Sequence, residues 1–141
     1  VILQECVEGA EEGDVRILML NGEALGAMKR VPADGEIRSN IHSGGSAIKH
    51  VLTKQERELC KNIGPKLVRD GLYFVGLDVI NGKLIEINVL SPGGIARINK
   101  LNRTNIQAKY VDFVESVIKN KELITLRKSE FRKVIEDAEN I

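Results

Sequence analysis

The sequence predicts an α+β fold, a largely antiparallel sheet with helices packed on it. Two Asn-Gly dipeptides, at 21–22 and 81–82, each stand between β-rich segments, which is typical of hairpin turns. Between the two hairpins, a segment that opens with Thr53-x-x-Glu56 carries apolar residues at helical spacing. Hydrophobic residues make up 43% of the 141-residue chain and charged residues 29%, which indicates a globular domain.

The first hairpin follows an acidic segment. Residues 1–7 are predicted to form a short apolar strand, and residues 14–20 and 25–31 two strands joined at Asn21-Gly22. The chain starts with no Met, in what reads as the middle of a buried strand. We therefore expect this chain to be a piece of a longer protein. The N-terminal part of that protein is then its first expected partner.

The centre of the chain combines a long loop with a helix. Residues 32–46 are rich in Pro, Gly, Ser and Asn and predict a long loop, which in a compact domain is usually functional or disordered. The helix begins at the Thr53-x-x-Glu56 capping box and is expected to end near Gly71, with a kink or short break at Pro65. Two further helices are expected at 105–120 and 128–138. The chain thus divides into a domain, 1–120, and a helical tail, 121–141.

The second hairpin, residues 72–90, determines which side chains share a face. Aliphatic residues alternate along both strands, namely Val75, Leu77, Val79, Ile85, Ile87 and Val89. All six share one buried face only if the turn has odd length, so we expect a three-residue loop, 80–82, with Gly82 in the left-handed conformation. The other face then carries Asp78, Glu86 and Asn88 together.

These three side chains offer two carboxylates and an amide oxygen, which are hard ligands that suit Mg²⁺. A half-exposed hairpin with a polar solvent face is the alternative interpretation. Arginines on the neighbouring segments favour the metal site, because guanidinium groups match phosphate oxygens and Mg²⁺ in proteins commonly also binds phosphate. The candidates are Arg16, Arg30 and Arg38, with the Gly-rich segment 43–46 beside them.

Composition excludes several function classes. The net charge of +1 argues against a general nucleic-acid or anionic-membrane binder, and no apolar run approaches the roughly 18 residues of a membrane span. Cys6 and Cys60 form neither a disulfide framework nor a zinc site and fit a reducing, cytosolic compartment. His42 and His50 are interpreted as solvated loop residues.

Several segments resemble a known family. Val31-Pro32-Ala33-Asp34-Gly35-Glu36-Ile37-Arg38-Ser39-Asn40, followed by Gly44-Gly45, resembles the large mobile loop of ATP-grasp ligases. Residues 63–78 and Glu86-Ile87-Asn88-Val89 are similar to prokaryotic glutathione synthetases. The resemblance covers residues 1 to about 118 and implies the C-terminal, ATP-binding part of an ATP-grasp domain.

The resemblance implies an ATP-dependent carboxylate–amine ligase. In this family ATP phosphorylates the C-terminal carboxylate of γ-glutamylcysteine, and the amine of glycine attacks the acyl phosphate to give glutathione. The implied cofactors are ATP and Mg²⁺, with Mn²⁺ as a substitute, and the substrates are small molecules. Assembly into a homo-oligomer stays open.

The resemblance also assigns roles to individual residues. Asp78, Glu86 and Asn88 match the metal positions, and Arg16 and Arg30 match arginines directed toward the γ-phosphate and acyl phosphate. The remaining matches are the adenine hinge, Gln4, Glu5, Cys6 and Val7; the ribose contact, Asp14; and the closing loop, Arg38, Asn40, Gly44 and Gly45.

One departure leaves the amine acceptor open. After Ser91-Pro92 the chain has Gly93-Gly94, where many glutathione synthetases carry a hydroxyl residue that contacts substrate. This pattern is closer to the ribosomal-protein glutamate ligases of the same superfamily, which are one alternative; a non-catalytic nucleotide-binding module is another. The family's phosphate-binding lysines lie N-terminal to this sequence, so we expect the fragment alone to be inactive.

Overall fold

The computed structural model describes residues 5–33 and 45–139. A 3₁₀ turn, Ala10–Glu12, precedes five strands and three helices. The strands are β1 (Asp14–Leu20), β2 (Glu23–Val31), β3 (Ser46–Lys49), β4 (Phe74–Ile80) and β5 (Lys83–Asn88). The helices are α1 (Lys54–Arg69), α2 (Ile95–Asn102) and α3 (Ile106–Glu139). No helix among these is long and apolar enough to cross a membrane.

The five strands form one antiparallel sheet in the order β3-β2-β1-β4-β5. The central strand β1 pairs on one side with β2, where Asp14 lies opposite Arg30, and on the other side with β4, where Arg16 lies opposite Asp78. The two hairpins predicted from the Asn-Gly dipeptides are therefore joined edge to edge through β1 and β4. This architecture confirms the predicted α+β class.

Both faces of the sheet are covered. One apolar cluster lies beneath α1 and contains Val15, Ile17, Met19, Ala27, Cys60, Leu67, Val75, Leu77 and Val79. The cluster on the opposite face contains Leu18, Met28, Ile98 and Ile106, with α2 packed over it. Strand β1 is consequently buried from Asp14 to Met19, on both of its faces.

Two compact units are found, Val1–Ile106 and Gln107–Ile141. The first contains the sheet, α1 and α2. The second consists of most of α3, a single continuous helix where two were predicted. Residues 103–141 contain neither Gly nor Pro, so nothing in that segment interrupts the helix. The predicted boundary at residue 120 lies within α3.

The turn of the second hairpin differs from the prediction. It is a two-residue turn at Asn81 and Gly82, with φ of 46° and 72°, as a type I′ turn requires. A register shift after Asp78 leaves Ile85 without an opposite residue, which is a β-bulge. The bulge restores the pairing of even-numbered with even-numbered residues that the predicted three-residue loop implied, and it places Asp78 opposite Glu86.

The aliphatic face of this hairpin is buried on β4 only. Val75, Leu77 and Val79 are at most 1% exposed, whereas Ile85, Ile87 and Val89 are 42%, 37% and 52% exposed. The prediction that all six are buried is wrong for Ile85, Ile87 and Val89, because they lie on or just after β5, the edge strand of the sheet.

Other local predictions also fail. Residues 5–7, the described part of the predicted first strand, have no regular structure. Helix α1 continues through Pro65, so the predicted break is absent. Proline removes one backbone donor there, while Cys60 and Leu67 on either side anchor the helix in the core. Strand β3, which was not predicted, begins at Ser46, the last residue of the segment predicted to be a loop.

The predicted capping box of α1 is present, and its Glu56 carboxylate also contacts His50. Thr53 Oγ1 accepts from the Glu56 backbone N–H, and Glu56 Oε2 accepts from the Thr53 N–H at 2.7 Å. His50 Nε2 lies 2.8 Å from the same carboxylate oxygen, so His50 is not the solvated residue expected. Burial raises the pKa of Glu56, but the hydrogen bonds from His50 and Thr53 outweigh it, and the pKa lies below its ordinary value of 4.5.

This cap makes the stability of the fold sensitive to acid. Because the pKa of Glu56 is lowered in the folded state, its carboxylate stabilises the fold above pH 4.5, and that contribution is lost as the pH falls through the folded-state pKa. Urea unfolding followed by circular dichroism below pH 4.5 should therefore show a steeper loss of stability in the wild type than in Glu56→Gln. Glu58→Gln makes the same change at an exposed position of α1 and should keep the wild-type slope. Identical slopes for the wild type and Glu56→Gln would contradict this.

Candidate functional site

A buried ion network lies on the sheet face that α2 covers. The Arg16 guanidinium donates from Nε and Nη2 to the two oxygens of Asp78, at 2.5 and 2.9 Å. Arg30 Nη2 lies 3.0 Å from Asp78 Oδ2, and Arg30 also binds both carboxylate oxygens of Asp14. Asp14, Arg16 and Asp78 are each at most 9% exposed.

The strand register brings these four side chains together. Asp14 and Arg16 are two residues apart on β1 and so project from the same face of the sheet. Each lies directly opposite a residue of the other sign, Asp14 opposite Arg30 and Arg16 opposite Asp78. Two guanidinium groups and two carboxylates balance in charge, which is the condition for burying them.

Arg30 connects the two carboxylates. Burial lowers the pKa of Arg30, but its hydrogen bond to Asp14 and the negative charges of Asp78 and Asp14 raise it more, and the net shift is upward. Arg30 therefore stays positively charged inside the network. Asp14, the predicted ribose contact, is buried against Arg30 and orients its guanidinium.

The predicted metal ligands lie at the edge of this network. Asn88 Nδ2 donates to Asp78 Oδ2 at 3.1 Å, and Glu86 lies directly opposite Asp78 with an exposed side chain. Among the described residues, no group of three or more His, Cys, Asp and Glu side chains is arranged to hold a metal. The predicted metal ligands include only two residues of these four types, Asp78 and Glu86, and the third is Asn88. Their two carboxylates and one amide match the hard oxygen donors that Mg²⁺ prefers. The donor set fits this ion.

A backbone contact extends the network beyond the strands. Arg16 Nη1 donates to the Gly93 carbonyl oxygen at 3.2 Å. The aliphatic part of Arg16 crosses β4 at Gly76, where an added Cβ would lie 3.3 Å from Arg16 Cδ and 3.1 Å from Pro92 Cβ. Sequence reasoning missed this arrangement, although a lone Gly in an apolar strand is typical of a close approach.

The remaining predicted site residues that the structure describes are not part of the network. Glu5, Cys6 and Val7 precede the 3₁₀ turn, and Glu5 and Cys6 are exposed. Gly45 lies just before β3. Gln4, Arg38, Asn40 and Gly44 lie outside the described residues. Of the predicted set, the structure thus brings together Asp14, Arg16, Arg30, Asp78 and Asn88, with Glu86 beside them.

Comparison with known proteins agrees with the resemblance. The family model described as "Prokaryotic glutathione synthetase, ATP-grasp domain" matches residues 1–103. A glutathione synthetase from Thermosynechococcus vestitus is 48% identical over 106 residues, covering 75% of this chain and 33% of the relative. Those of Gloeobacter violaceus and Bradyrhizobium diazoefficiens are 45% and 47% identical over 114 residues, covering 81% of this chain and 35% and 36% of the relatives.

The matched region extends through β1, β2, β4, β5 and α2, the elements that carry or adjoin the ion network. The chain spans about a third of the length of these curated relatives. Because the family model covers well over half of the 141 residues, the chain belongs to the prokaryotic glutathione synthetase ATP-grasp domain family.

Proposed function

We propose that this chain is the ATP- and Mg²⁺-binding part of a glutathione synthetase, a cytoplasmic enzyme that joins γ-glutamylcysteine to glycine through an acyl phosphate. The observation that carries the proposal is the buried network of Asp14, Arg30, Asp78 and Arg16, with Asn88 bonded to Asp78. A protein that needed only a stable sheet would fill these positions at lower cost with apolar side chains.

In the proposed enzyme Asp78, Glu86 and Asn88 hold Mg²⁺, or Mn²⁺ in its place. The bound ion offsets the negative charge of the phosphoryl group during transfer. Arg16 and Arg30 are held by carboxylates before substrate arrives, so their orientation costs no reorganisation when ATP binds. A guanidinium has five N–H donors, and each arginine can therefore hold its carboxylate and a phosphate oxygen together.

The other predicted residues complete the nucleotide site in this proposal. Gln4, Glu5, Cys6 and Val7 hold adenine through the backbone, and Asp14 stands at the ribose end, where it orients Arg30. Arg38, Asn40, Gly44 and Gly45 belong to the loop that closes over the acyl phosphate and excludes water. Both small-molecule substrates and the N-terminal part of the same protein are its partners.

A second candidate is a ligase that adds an amino acid to a protein carboxylate, as ribosomal-protein glutamate ligases do. The observation that favours it is the Ser91-Pro92-Gly93-Gly94 segment. Gly93 is exposed, and a Cβ at this position would meet nothing within 4 Å. An acceptor larger than glycine therefore meets no side chain at position 93. A non-catalytic nucleotide-binding module is less well supported, since it has no need for both Asp78 and Glu86.

The test uses the full-length parent protein and Mg²⁺-dependent release of ADP. With γ-glutamylcysteine present, we expect turnover on adding glycine and none on adding glutamate. Glu86→Gln should lower the affinity for Mg²⁺–ATP by about tenfold or more, because it removes one of the two carboxylates that offset the cation. Its exposed side chain makes no contribution to the core, so stability should be unchanged.

Each outcome of the assay distinguishes one candidate from the others. Turnover with a protein carboxylate but not with γ-glutamylcysteine would favour the second candidate. Binding of Mg²⁺–ATP without turnover on any acceptor would favour the non-catalytic module. Unchanged Mg²⁺–ATP affinity in Glu86→Gln would remove Glu86 from the metal site.

A further inference from the structure

The segment Ser91–Gly94, which leads into α2, is attached to the sheet at two points. Pro92 is buried against Gly76 of β4, and the Gly93 carbonyl accepts a hydrogen bond from Arg16. Gly94 then opens α2, since its carbonyl accepts the Ile98 N–H at 2.9 Å. The contacts with Gly76 and Arg16 of the sheet therefore position the start of α2.

Arg16 is the only described side chain that contacts both Asp78 and the Gly93 carbonyl by hydrogen bonds. Nε and Nη2 hold Asp78, and Nη1 holds Gly93 from the same rigid, planar group. Because the guanidinium is planar, a rotation that changes its contact with Asp78 also changes its contact with Gly93. The Arg16 side chain is only 11% exposed, so water does not readily replace either partner.

We propose that Arg16 is a positioning residue that couples the Ser91–Gly94 segment to Asp78. A change in the charge or the partner of the Asp78 carboxylate is transmitted through the guanidinium to the Gly93 peptide group and the start of α2. Gly76 is part of the same arrangement, because its lack of a Cβ leaves the space in which Arg16 and Pro92 lie together. The catalytic consequence rests on the proposed function: in a ligase, binding at Asp78 and the position of this segment respond together.

The structural test is a double-mutant cycle on the 141-residue chain, read by NMR. The probe is the amide resonance of Gly94, whose N–H shares a peptide group with the Gly93 carbonyl. Asp78→Asn should shift this resonance in the wild-type background. In Arg16→Met, which keeps a long apolar side chain but no donors, the same Asp78→Asn change should produce no further shift.

A matched control breaks an ion pair on α1, on the other side of the sheet. Lys66→Met removes the exposed Lys66–Asp70 pair and should leave the Gly94 resonance in place. If Arg16→Met does not fold, Arg16→Lys replaces it. An ammonium lacks the rigid planar fork whose separate nitrogens hold the carboxylate and the carbonyl, so this variant should reduce the coupling. An equal shift from Asp78→Asn in both backgrounds, or no shift in the wild type, would overturn the proposal.

An activity measurement on the full-length protein separates this inference from the proposed function. At saturating Mg²⁺–ATP, Arg16→Lys should lower kcat/KM for the amine acceptor by about tenfold, as loss of a group that orients a ligand typically does. Arg69→Lys, on the exposed face of α1, should leave it unchanged. If the wild type shows no ligase activity but the NMR cycle shows coupling, only the proposed function fails. If ligase activity is present without coupling, only this inference fails.

Discussion

Asp78→Asn is expected to lower the free energy of unfolding of this chain by about 3 kcal/mol, because it removes the shared anion of two buried guanidinium groups. Asp78 binds Arg16 through both carboxylate oxygens and Arg30 through one. Asparagine keeps the size of the side chain but loses the charge and one acceptor. Arg30 retains the Asp14 carboxylate, whereas Arg16 retains no carboxylate, only the Gly93 carbonyl and the one remaining amide oxygen at position 78.

Urea unfolding at neutral pH, followed by circular dichroism, measures this loss. Glu86→Gln is the matched control, since it makes the same chemical change directly across the hairpin on an exposed side chain. It should alter the free energy of unfolding by less than about 0.5 kcal/mol. A loss below about 1 kcal/mol for Asp78→Asn would mean that the ion network contributes little to the fold.

Gly64→Ala is expected to destabilise the chain by about 2 kcal/mol or more, although alanine is the better helix former by about 1 kcal/mol. Helix α1 packs directly on the turn between β1 and β2 at this residue. A Cβ on Gly64 would lie 2.1 Å from the Gly22 carbonyl oxygen, which is backbone and cannot rotate away. The helix must therefore lift away from the turn and from the core cluster beneath it.

Thermal or urea unfolding of Gly64→Ala and Asn62→Ala compares the sign of the change in stability at the two positions. Asn62 is exposed and lies two residues earlier in the same helix, so replacing it by alanine should be neutral or mildly stabilising. A stabilising effect at both positions would show that α1 does not contact the turn as closely as the structure indicates.

The sequence was informative where a pattern was local. The Asn-Gly dipeptides correctly predicted both hairpins, and Thr53 with Glu56 correctly predicted the start of α1. Alternation along residues 75–79 correctly separated the buried Leu77 from Asp78 on the opposite face. Strand β3 and helix α2 have only four and eight residues, which is too short for periodicity to reveal them.

Features that depend on distant parts of the chain were not predictable in this way. The bulge at Ile85 results from the pairing of two strands, and the exposure of Ile87 results from the position of β5 at the edge. Asp78, Arg16 and Arg30 were candidates from strand alternation and residue chemistry, and Asp14 from a family resemblance, but the pairing of the four was not predicted. Arg16 and Asp78 are 62 residues apart, and no spacing rule connects them.

The same separation determines when the candidate site can form during folding. Each hairpin closes through a short local turn, whereas pairing β1 with β4 must bring together segments that flank β2, β3 and α1. Contacts of such high sequence separation are slow to form, because the entropy of loop closure is lost before they stabilise the chain. The Arg16–Asp78 pair lies across this late junction. The two hairpins can therefore assemble without a site, and the site is completed only when they meet.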